Sequence, residues 1–173
     1  MNGAVFPEPL LASTRALLDL CRVRALKIAT AESCTGGLVA GLLTEIAGSS
    51  DVVERGFVTY SNDAKRELIG VRAETLATHG AVSEETAREM AQGALQHSRA
   101  DIAVSITGIA GPGGGSAEKP VGLVHFACYG PGLRQVAVER RFGDLGRGAI
   151  RLAAVAEALA LLGEAARASL KSD

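Results

Sequence analysis

The feature that most constrains the fold of this chain is an alternation of short apolar runs with longer runs of helical spacing. Residues 26–31 (LKIATA) predict a buried strand, and after the break ESCTGG the run at 38–48 predicts a helix that ends at Gly48. Further strand-like runs at 56–60 (GFVTY) and 101–107 (DIAVSIT) lie next to helical segments. Strands that alternate with helices predict a sheet with a parallel core.

The rest of the chain adds further helices and one hairpin. Residues 121–129 and 133–142 alternate in polarity around the turn GPG, which is typical of a β-hairpin. Helices are predicted at residues 10–24, at residues 84–98 with Ser83 as the N-cap, and from about residue 146 to residue 162. We expect one α/β domain over residues 1–173, with its core in about 10–163. Its predicted architecture is a three-layer α/β/α sandwich with a mixed, mainly parallel sheet, three strands followed by helices, and one antiparallel hairpin.

Composition excludes several classes of function. The 173 residues are 47% apolar and 21% charged, which is typical of a globular domain. A net charge of −1, 3% aromatic residues and no Trp argue against a nucleic-acid partner. No apolar run reaches the length of a membrane span, and the start MNGAVFPEPL lacks the order of a signal peptide. The three cysteines are odd in number and widely spaced, so we expect a cytoplasmic protein without disulfides or a zinc site.

Three unusual segments follow the predicted strands, at the sheet edge where α/β proteins bind ligands. In the first, AESCTGG, Ser33 precedes two glycines that open a helix. This places the hydroxyl among unpaired backbone N–H groups that can hold an oxyanion. The alternative is that Ser33 or Thr35 only caps the helix while Gly36 allows close packing. The heptad alone does not decide between these interpretations.

The second segment, TYSNDAK, places a tyrosine at a strand end and a lysine in the first turn of a helix. Ser61 or Asn62 is the predicted cap, and Lys65 lies near the third helical position. The helix dipole and partial burial both favour the neutral amine that a general base needs. With Tyr60, a neutral lysine can activate a serine without histidine. The alternative is a solvated lysine on an exposed turn.

The third segment, TGIAGPGGG, contains too many glycines for a helix or a strand. Its backbone N–H groups can approach an anion or a planar ring, although a mobile surface loop is an equal alternative. Arg147 and Arg151 lie one turn apart at the start of the last helix, where they can bind a phosphate bidentately. A solvated or salt-bridged pair is the alternative for these arginines.

Together the motifs resemble the CinA C-terminal family. The resemblance is carried, in order, by TAESCTGGLVAGLLTEIAGSS, GFVTYSNDAKRELIGV, GAVSEETAREMAQGA and SITGIAGPGGG, and it covers about residues 10–163. It implies a stand-alone enzyme, without the molybdopterin-binding-like domain of full-length family members. The implied activity is hydrolysis of the carboxamide of nicotinamide mononucleotide to nicotinate mononucleotide and ammonia. It also implies a homodimer, with neither a cofactor nor a metal.

The resemblance also implies roles for individual residues. Ser33 is the implied nucleophile, and Tyr60 and Lys65 are its implied activating partners. The residues expected to bind substrate are Cys34, Thr35, Gly36, Gly37, Thr107, Gly108, Gly111, Arg147 and Arg151. Backbone N–H groups around Thr35 to Gly37 are expected to hold the oxyanion.

Two rival hypotheses accompany this one. The chain can be a non-catalytic module that binds a nucleotide or another phosphate ester, in which Ser33 only caps a helix. Alternatively, Cys34 is the nucleophile of the same reaction. Lack of a histidine partner weakens the second rival, because His79, His97 and His125 fall in a predicted loop, helix and strand outside the glycine-rich segments.

Overall fold

A computed structural model describes residues 5–130 and 135–169, which form a mixed five-stranded sheet and six α-helices. The strands are β1 (Ile28–Glu32), β2 (Val53–Val58), β3 (Ile102–Gly108), β4 (Leu123–Tyr129) and β5 (Val136–Arg141). The helices are α1 (Glu8–Val23), α2 (Leu38–Glu45), α3 (Asn62–Ile69), α4 (Ala73–His79), α5 (Glu84–Gln96) and α6 (Arg147–Ala168).

The sheet has the strand order β2-β1-β3-β4-β5. Strand β1 pairs in parallel with β2 and β3, whereas β4 pairs antiparallel with β3 and β5. Since β5 again runs in the direction of β3, only β4 is reversed among the described strands. The predicted hairpin is therefore confirmed, although Pro131 and Gly132 of its turn GPG lie outside the described residues.

Helices cover both faces of this sheet, as predicted. Val104 and Ile106 of β3 belong to the core cluster that α1, α2 and α6 share, whereas Ala103 lies in the cluster with α3 and α5. Adjacent strand residues point to opposite faces, so the two clusters are separate layers. Small residues on the second face allow α5 to approach closely, and the Ser105 hydroxyl donates to the carbonyl of Ala87 there.

Four local predictions were wrong. Strand β3 is not followed by a helix, because the glycine- and proline-rich residues 109–122 lead directly into the neighbouring β4. Helix α2 ends at Glu45, before Gly48, whose φ of 82° begins a 3₁₀ turn instead. Helix α6 continues to Ala168, because Gly163 is buried within the helix and does not end it. Helix α4 was not predicted, and His79 is its last residue rather than part of a loop.

No helix in the described ranges combines the length and the hydropathy that a membrane span requires.

Candidate active site

A pocket of about 290 Å³ opens at the edge of the sheet where β1, β2 and β3 end. Parallel strands place their carboxyl ends at one edge, so residues far apart in sequence meet there. Of the predicted site residues, the pocket is lined by Ser33, Cys34, Tyr60, Lys65, Thr107, Gly108 and Arg147. The predicted residues outside this lining are Thr35, Gly36, Gly37, Gly111 and Arg151.

Lys65 and Ser33 form a buried pair in this pocket. The Lys65 Nζ lies 3.0 Å from the Ser33 Oγ and donates to the carbonyl of Thr59 at 2.8 Å. Only 1% of Lys65 is exposed, and no carboxylate pairs with it among residues 5–130 and 135–169. Burial lowers the pKa of Lys65 from 10.5 to about 8. About a tenth of the amine is therefore neutral at pH 7, in contact with a hydroxyl.

Local sequence explains why a lysine is buried here. Helix α3 begins at Asn62 and is capped by Ser61, whose hydroxyl accepts the backbone N–H of Ala64 at 3.0 Å. Lys65 and Ile69 are four residues apart and form the buried face of this short helix. Lys65 is thus the fourth helical residue rather than the third, and burial is the main cause of its lowered pKa.

Ser33 does not lie at the start of α2, contrary to the prediction. The helix begins at Leu38, and neither Ser33 nor Thr35 caps it; the Thr35 hydroxyl is buried without a hydrogen-bond partner in the described chain. Instead, Ser33 continues the sheet by donating its N–H to the carbonyl of Ile106 at 2.9 Å. The Glu32 carboxylate caps α2, a role that sequence reasoning missed. The sequence signal for such a cap is an acidic residue shortly before a helix, because the helix dipole favours an anion at that end.

The expected oxyanion site around Thr35 to Gly37 needs correction. The Gly36 N–H donates to the carbonyl of Ser33 at 3.0 Å, and the Gly37 N–H donates to Glu32 Oε2 at 3.1 Å. These groups are therefore occupied. In this segment of the described chain, the N–H groups of Cys34 and Thr35 have no carbonyl or carboxylate acceptor. Of these two residues only Cys34 lines the pocket, whereas Thr35 is fully buried outside it, so the Cys34 N–H is the one that a ligand can reach.

The two arginines of α6 have different partners. Arg147 lines the pocket, donates to the carbonyl of Gly111 at 2.9 Å and lies 3.4 Å from the Tyr60 hydroxyl. Arg151 donates instead to the carbonyls of Cys34 and Thr35, at 3.1 and 2.9 Å. Arg147 therefore faces the opening of the pocket, whereas Arg151 holds the backbone that follows Ser33.

Tyr60 and Thr107 line the pocket without a described side-chain hydrogen bond to Ser33 or Lys65. Tyr60 is 62% exposed, and its described hydrogen bond joins it to Arg147 rather than to Ser33. The Thr107 hydroxyl donates to the carbonyl of Ala81 at 2.7 Å, which fixes one wall of the pocket.

Comparisons with known proteins agree with the motifs that surround this pocket. Residues 11–166 match the CinA C-terminal domain family. The chain belongs to this family. Within it, the chain is 58% identical over 144 residues to nicotinamide-nucleotide amidohydrolase PncC of Escherichia coli (strain K12), covering 82% of this chain and 85% of that protein. It is also 53% identical over 141 residues to a CinA-like protein of Syntrophobacter fumaroxidans, covering 82% of this chain and 33% of that protein.

The family fold is also evident from a crystal structure. Competence/damage inducible protein CihA from Agrobacterium tumefaciens superposes with a TM-score of 0.92 at 57% sequence identity. The superposition covers 95% of this chain and 99% of that one.

Cysteine and histidine have no evident catalytic role in this member of the CinA C-terminal domain family. Burial raises the pKa of the Cys34 thiol to about 11, so the thiol is protonated and a poor nucleophile at neutral pH. None of the three histidines lines the pocket of Ser33. Among the described residues, no group of three or more His, Cys, Asp or Glu is arranged to hold a metal ion.

Proposed function

We propose that this chain is an amidohydrolase that converts nicotinamide mononucleotide to nicotinate mononucleotide and ammonia. The observation that carries the proposal is the buried Lys65 Nζ, unpaired with any carboxylate of the described chain, 3.0 Å from the Ser33 Oγ. A buried lysine beside a serine activates the hydroxyl for attack on an acyl carbon. The name of the E. coli relative, nicotinamide-nucleotide amidohydrolase, supports the choice of substrate.

The reaction proceeds by acyl transfer. Neutral Lys65 takes the proton of Ser33, and the Oγ attacks the carboxamide carbon to form a tetrahedral intermediate. The intermediate collapses, its C–N bond breaks, and Lys65 returns the proton so that ammonia leaves. Water then attacks the acyl-enzyme, with Lys65 as general base, and releases the carboxylate product and free Ser33.

We propose the direct route of proton transfer rather than a relay through Tyr60. The Lys65–Ser33 distance already permits transfer, whereas the Tyr60 hydroxyl is near Arg147. Tyr60 lies at the exposed side of the pocket, where it can contact the substrate. Its role is then binding rather than proton transfer.

The N–H group of Cys34 is the proposed donor to the oxyanion. Cys34 immediately follows the nucleophile along the chain and lines the pocket, and its N–H has no carbonyl or carboxylate acceptor in the described structure. A donor of this kind contributes about 3 kcal/mol to transition-state stabilisation. This replaces the wider set of N–H groups that the sequence predicted.

Arg147 is the proposed phosphate ligand. It lines the pocket at the N-terminus of α6, where the helix dipole also favours an anion. Its guanidinium is beside the glycine-rich residues 109–115, whose backbone can approach the phosphate as well. Thr107 and Gly108 form the side of the pocket for the nicotinamide ring.

The proposed setting is the cytoplasm, and the proposed assembly is a homodimer. The cysteines within the described ranges are free and buried, which suits a reducing compartment. Light scattering of the purified protein measures its mass directly, and a mass of one chain would reject the dimer.

Ammonia release tests the activity against the rival of a non-catalytic binding module. The panel comprises nicotinamide mononucleotide, nicotinamide riboside, nicotinamide and NAD. We expect turnover of the mononucleotide well above that of the others. Binding of the mononucleotide without ammonia release would favour the module instead.

A further inference from the structure

Glu32 is a fully buried side chain with no part in the proton transfers proposed above. It is the last residue of β1 and directly precedes Ser33. Its carboxylate accepts the backbone N–H groups of Gly37, Val39 and Ala40 at 3.1, 3.0 and 2.8 Å. The Thr30 hydroxyl adds a longer contact of 3.3 Å. No lysine or arginine pairs with Glu32 among the described residues, so backbone donors at the start of α2 take the place of a counter-charge.

The neighbours of Glu32 supply hydrogen-bond donors to both oxygens of its carboxylate. Every neighbour within hydrogen-bond distance can donate: three backbone N–H groups and one hydroxyl. Only a carboxylate accepts at both oxygens without presenting a proton of its own to these donors. The position of this side chain is well fixed, because moving it away would leave both the buried charge and the backbone N–H donors without partners.

Through these bonds Glu32 closes a short loop that carries Ser33. Its backbone belongs to β1, and its side chain holds the first turn of α2, so both ends of residues 33–37 are anchored by one residue. The carbonyl of Glu32 also accepts the N–H of Thr59 at 2.8 Å, and the carbonyl of Thr59 accepts from Lys65. Glu32 is thus connected to both members of the serine–lysine pair.

We propose that Glu32 is a positioning residue for amide hydrolysis, an inference that rests on the proposed function. Its carboxylate binds the N–H groups of Gly37, Val39 and Ala40, which fixes the far end of the loop that carries the N–H of Cys34. It also keeps the Ser33 Oγ within reach of Lys65. A displacement of about 1 Å in such a site lowers the rate about 100-fold. The competing view is that Glu32 only caps α2 and matters only for stability.

Glu32→Gln tests this inference. The amide has nearly the same shape but keeps one acceptor oxygen, and its NH₂ faces an N–H donor. We expect kcat to fall about 100-fold while KM changes less than about threefold, because the loss concerns geometry in the transition state. Glu32→Asp keeps the charge but is shorter by a methylene, so we expect an intermediate kcat. It also serves as the test if Glu32→Gln fails to fold.

Glu89→Gln is the matched control. Glu89 accepts the backbone N–H of Arg72 at the start of α4 and the Thr75 hydroxyl, and it lies outside the pocket of Ser33. The same substitution therefore removes a carboxylate that caps a helix elsewhere. We expect it to lower the melting temperature and leave kcat unchanged. If both variants lose similar stability and Glu32→Gln keeps kcat within about threefold of wild type, Glu32 is only a cap and the inference is wrong.

A fluorophosphonate that labels Ser33 separates this inference from the proposed function. We expect labelling to slow at least tenfold in Glu32→Gln and to be unchanged in Glu89→Gln, since the probe reports the reactivity of the hydroxyl without the substrate. Slower labelling of Glu32→Gln, together with a wild type that releases no ammonia, would reject the substrate but retain the positioning role. Absence of both labelling and ammonia release in the wild type would reject both proposals.

Discussion

The loops that follow β1 and β3 both border the pocket, but the first is buried and the second is largely exposed. Residues 33–35 are buried, and the side chains of Glu32 and Arg151 bind the backbone of the loop from both sides. Residues 112–118 of the other loop are exposed. Hydrogen bonds of the loop backbone and of the Arg147 and Lys119 side chains hold the two ends of this loop. A group that must react needs a fixed position, whereas a segment that admits a ligand needs access to solvent.

This contrast predicts two kinds of kinetic effect. Changes around Ser33 should lower kcat for every substrate, because they alter the reacting geometry. Changes beside the glycine-rich loop should mainly raise KM for substrates that carry a phosphate. The following experiments test that division, from the largest expected effect to the smallest.

Ser33→Ala removes the proposed nucleophile and should lower kcat for nicotinamide mononucleotide at least about 1,000-fold, with binding retained. Ammonia release measures turnover, and calorimetry measures binding. Cys34→Ala is the matched control on the next residue and should keep most of the activity, because its thiol is protonated. Activity of a few per cent or more in Ser33→Ala, together with its loss in Cys34→Ala, would reverse the nucleophile assignment.

Lys65→Met removes the base while filling the same buried space. We expect kcat to fall about 1,000-fold, within the range for loss of a general base, and the melting temperature to be maintained or raised since a buried cation is removed. Steady-state kinetics and thermal unfolding measure these effects. Tyr60→Phe should change kcat less than about threefold. A loss of kcat in Tyr60→Phe as large as that in Lys65→Met would instead support proton transfer through the Tyr60 hydroxyl.

Arg151→Met releases the carbonyls of Cys34 and Thr35 that the guanidinium holds. We expect kcat to fall between about 10-fold and 100-fold, equally for nicotinamide mononucleotide and nicotinamide riboside, because the loop rather than the phosphate is affected. The ratio of kcat/KM for the two substrates is the measurement. A loss confined to the mononucleotide would make Arg151 a phosphate ligand, as the sequence predicted.

Arg147→Ala should raise KM for the mononucleotide about tenfold or more and leave the riboside unaffected, since a charge-assisted bond to phosphate contributes roughly 1.5–3 kcal/mol. Arg147→Lys should recover part of the loss because it retains the charge. Equal losses with both substrates would show that Arg147 is structural and that the phosphate is held elsewhere.

The pH dependence should follow the neutral form of Lys65. The pKa of Lys65 in the folded protein is about 8, so kcat/KM should increase about tenfold between pH 7 and a plateau that begins at about pH 9. The free energy of unfolding should also rise with pH. Between about 8 and 10.5 the unfolded chain binds more protons at this lysine than the folded chain does, so its contribution to the free energy of unfolding rises with pH. This contribution of Lys65 to the free energy of unfolding should be absent in Lys65→Met. A kcat/KM that does not change from pH 6 to 9 would exclude Lys65 as the base.

The elements that could be predicted are those with a local pattern. Short apolar runs identified β1 and β3, and alternating polarity identified the β4–β5 pair. Ser83 was correctly predicted as a cap, since its hydroxyl accepts the N–H of Thr86. The end of α2 at Glu45 could not be read from Gly48 alone, since tertiary packing determines where a short helix stops. Helix α4 was missed because its seven residues give too short a pattern.

By itself, the sequence determined which residues follow the strand ends, and therefore that Ser33, Lys65 and Thr107 would meet at one edge of a sheet. That conclusion needs only local periodicity and the direction of parallel strands. The tertiary structure decided what those residues do there. Burial of Lys65 between distant segments lowers its pKa, and the different partners of Arg147 and Arg151 separate two side chains that share a helix face. The physical reason is that desolvation and hydrogen-bond partners depend on groups brought together by folding, which spacing along the chain does not specify.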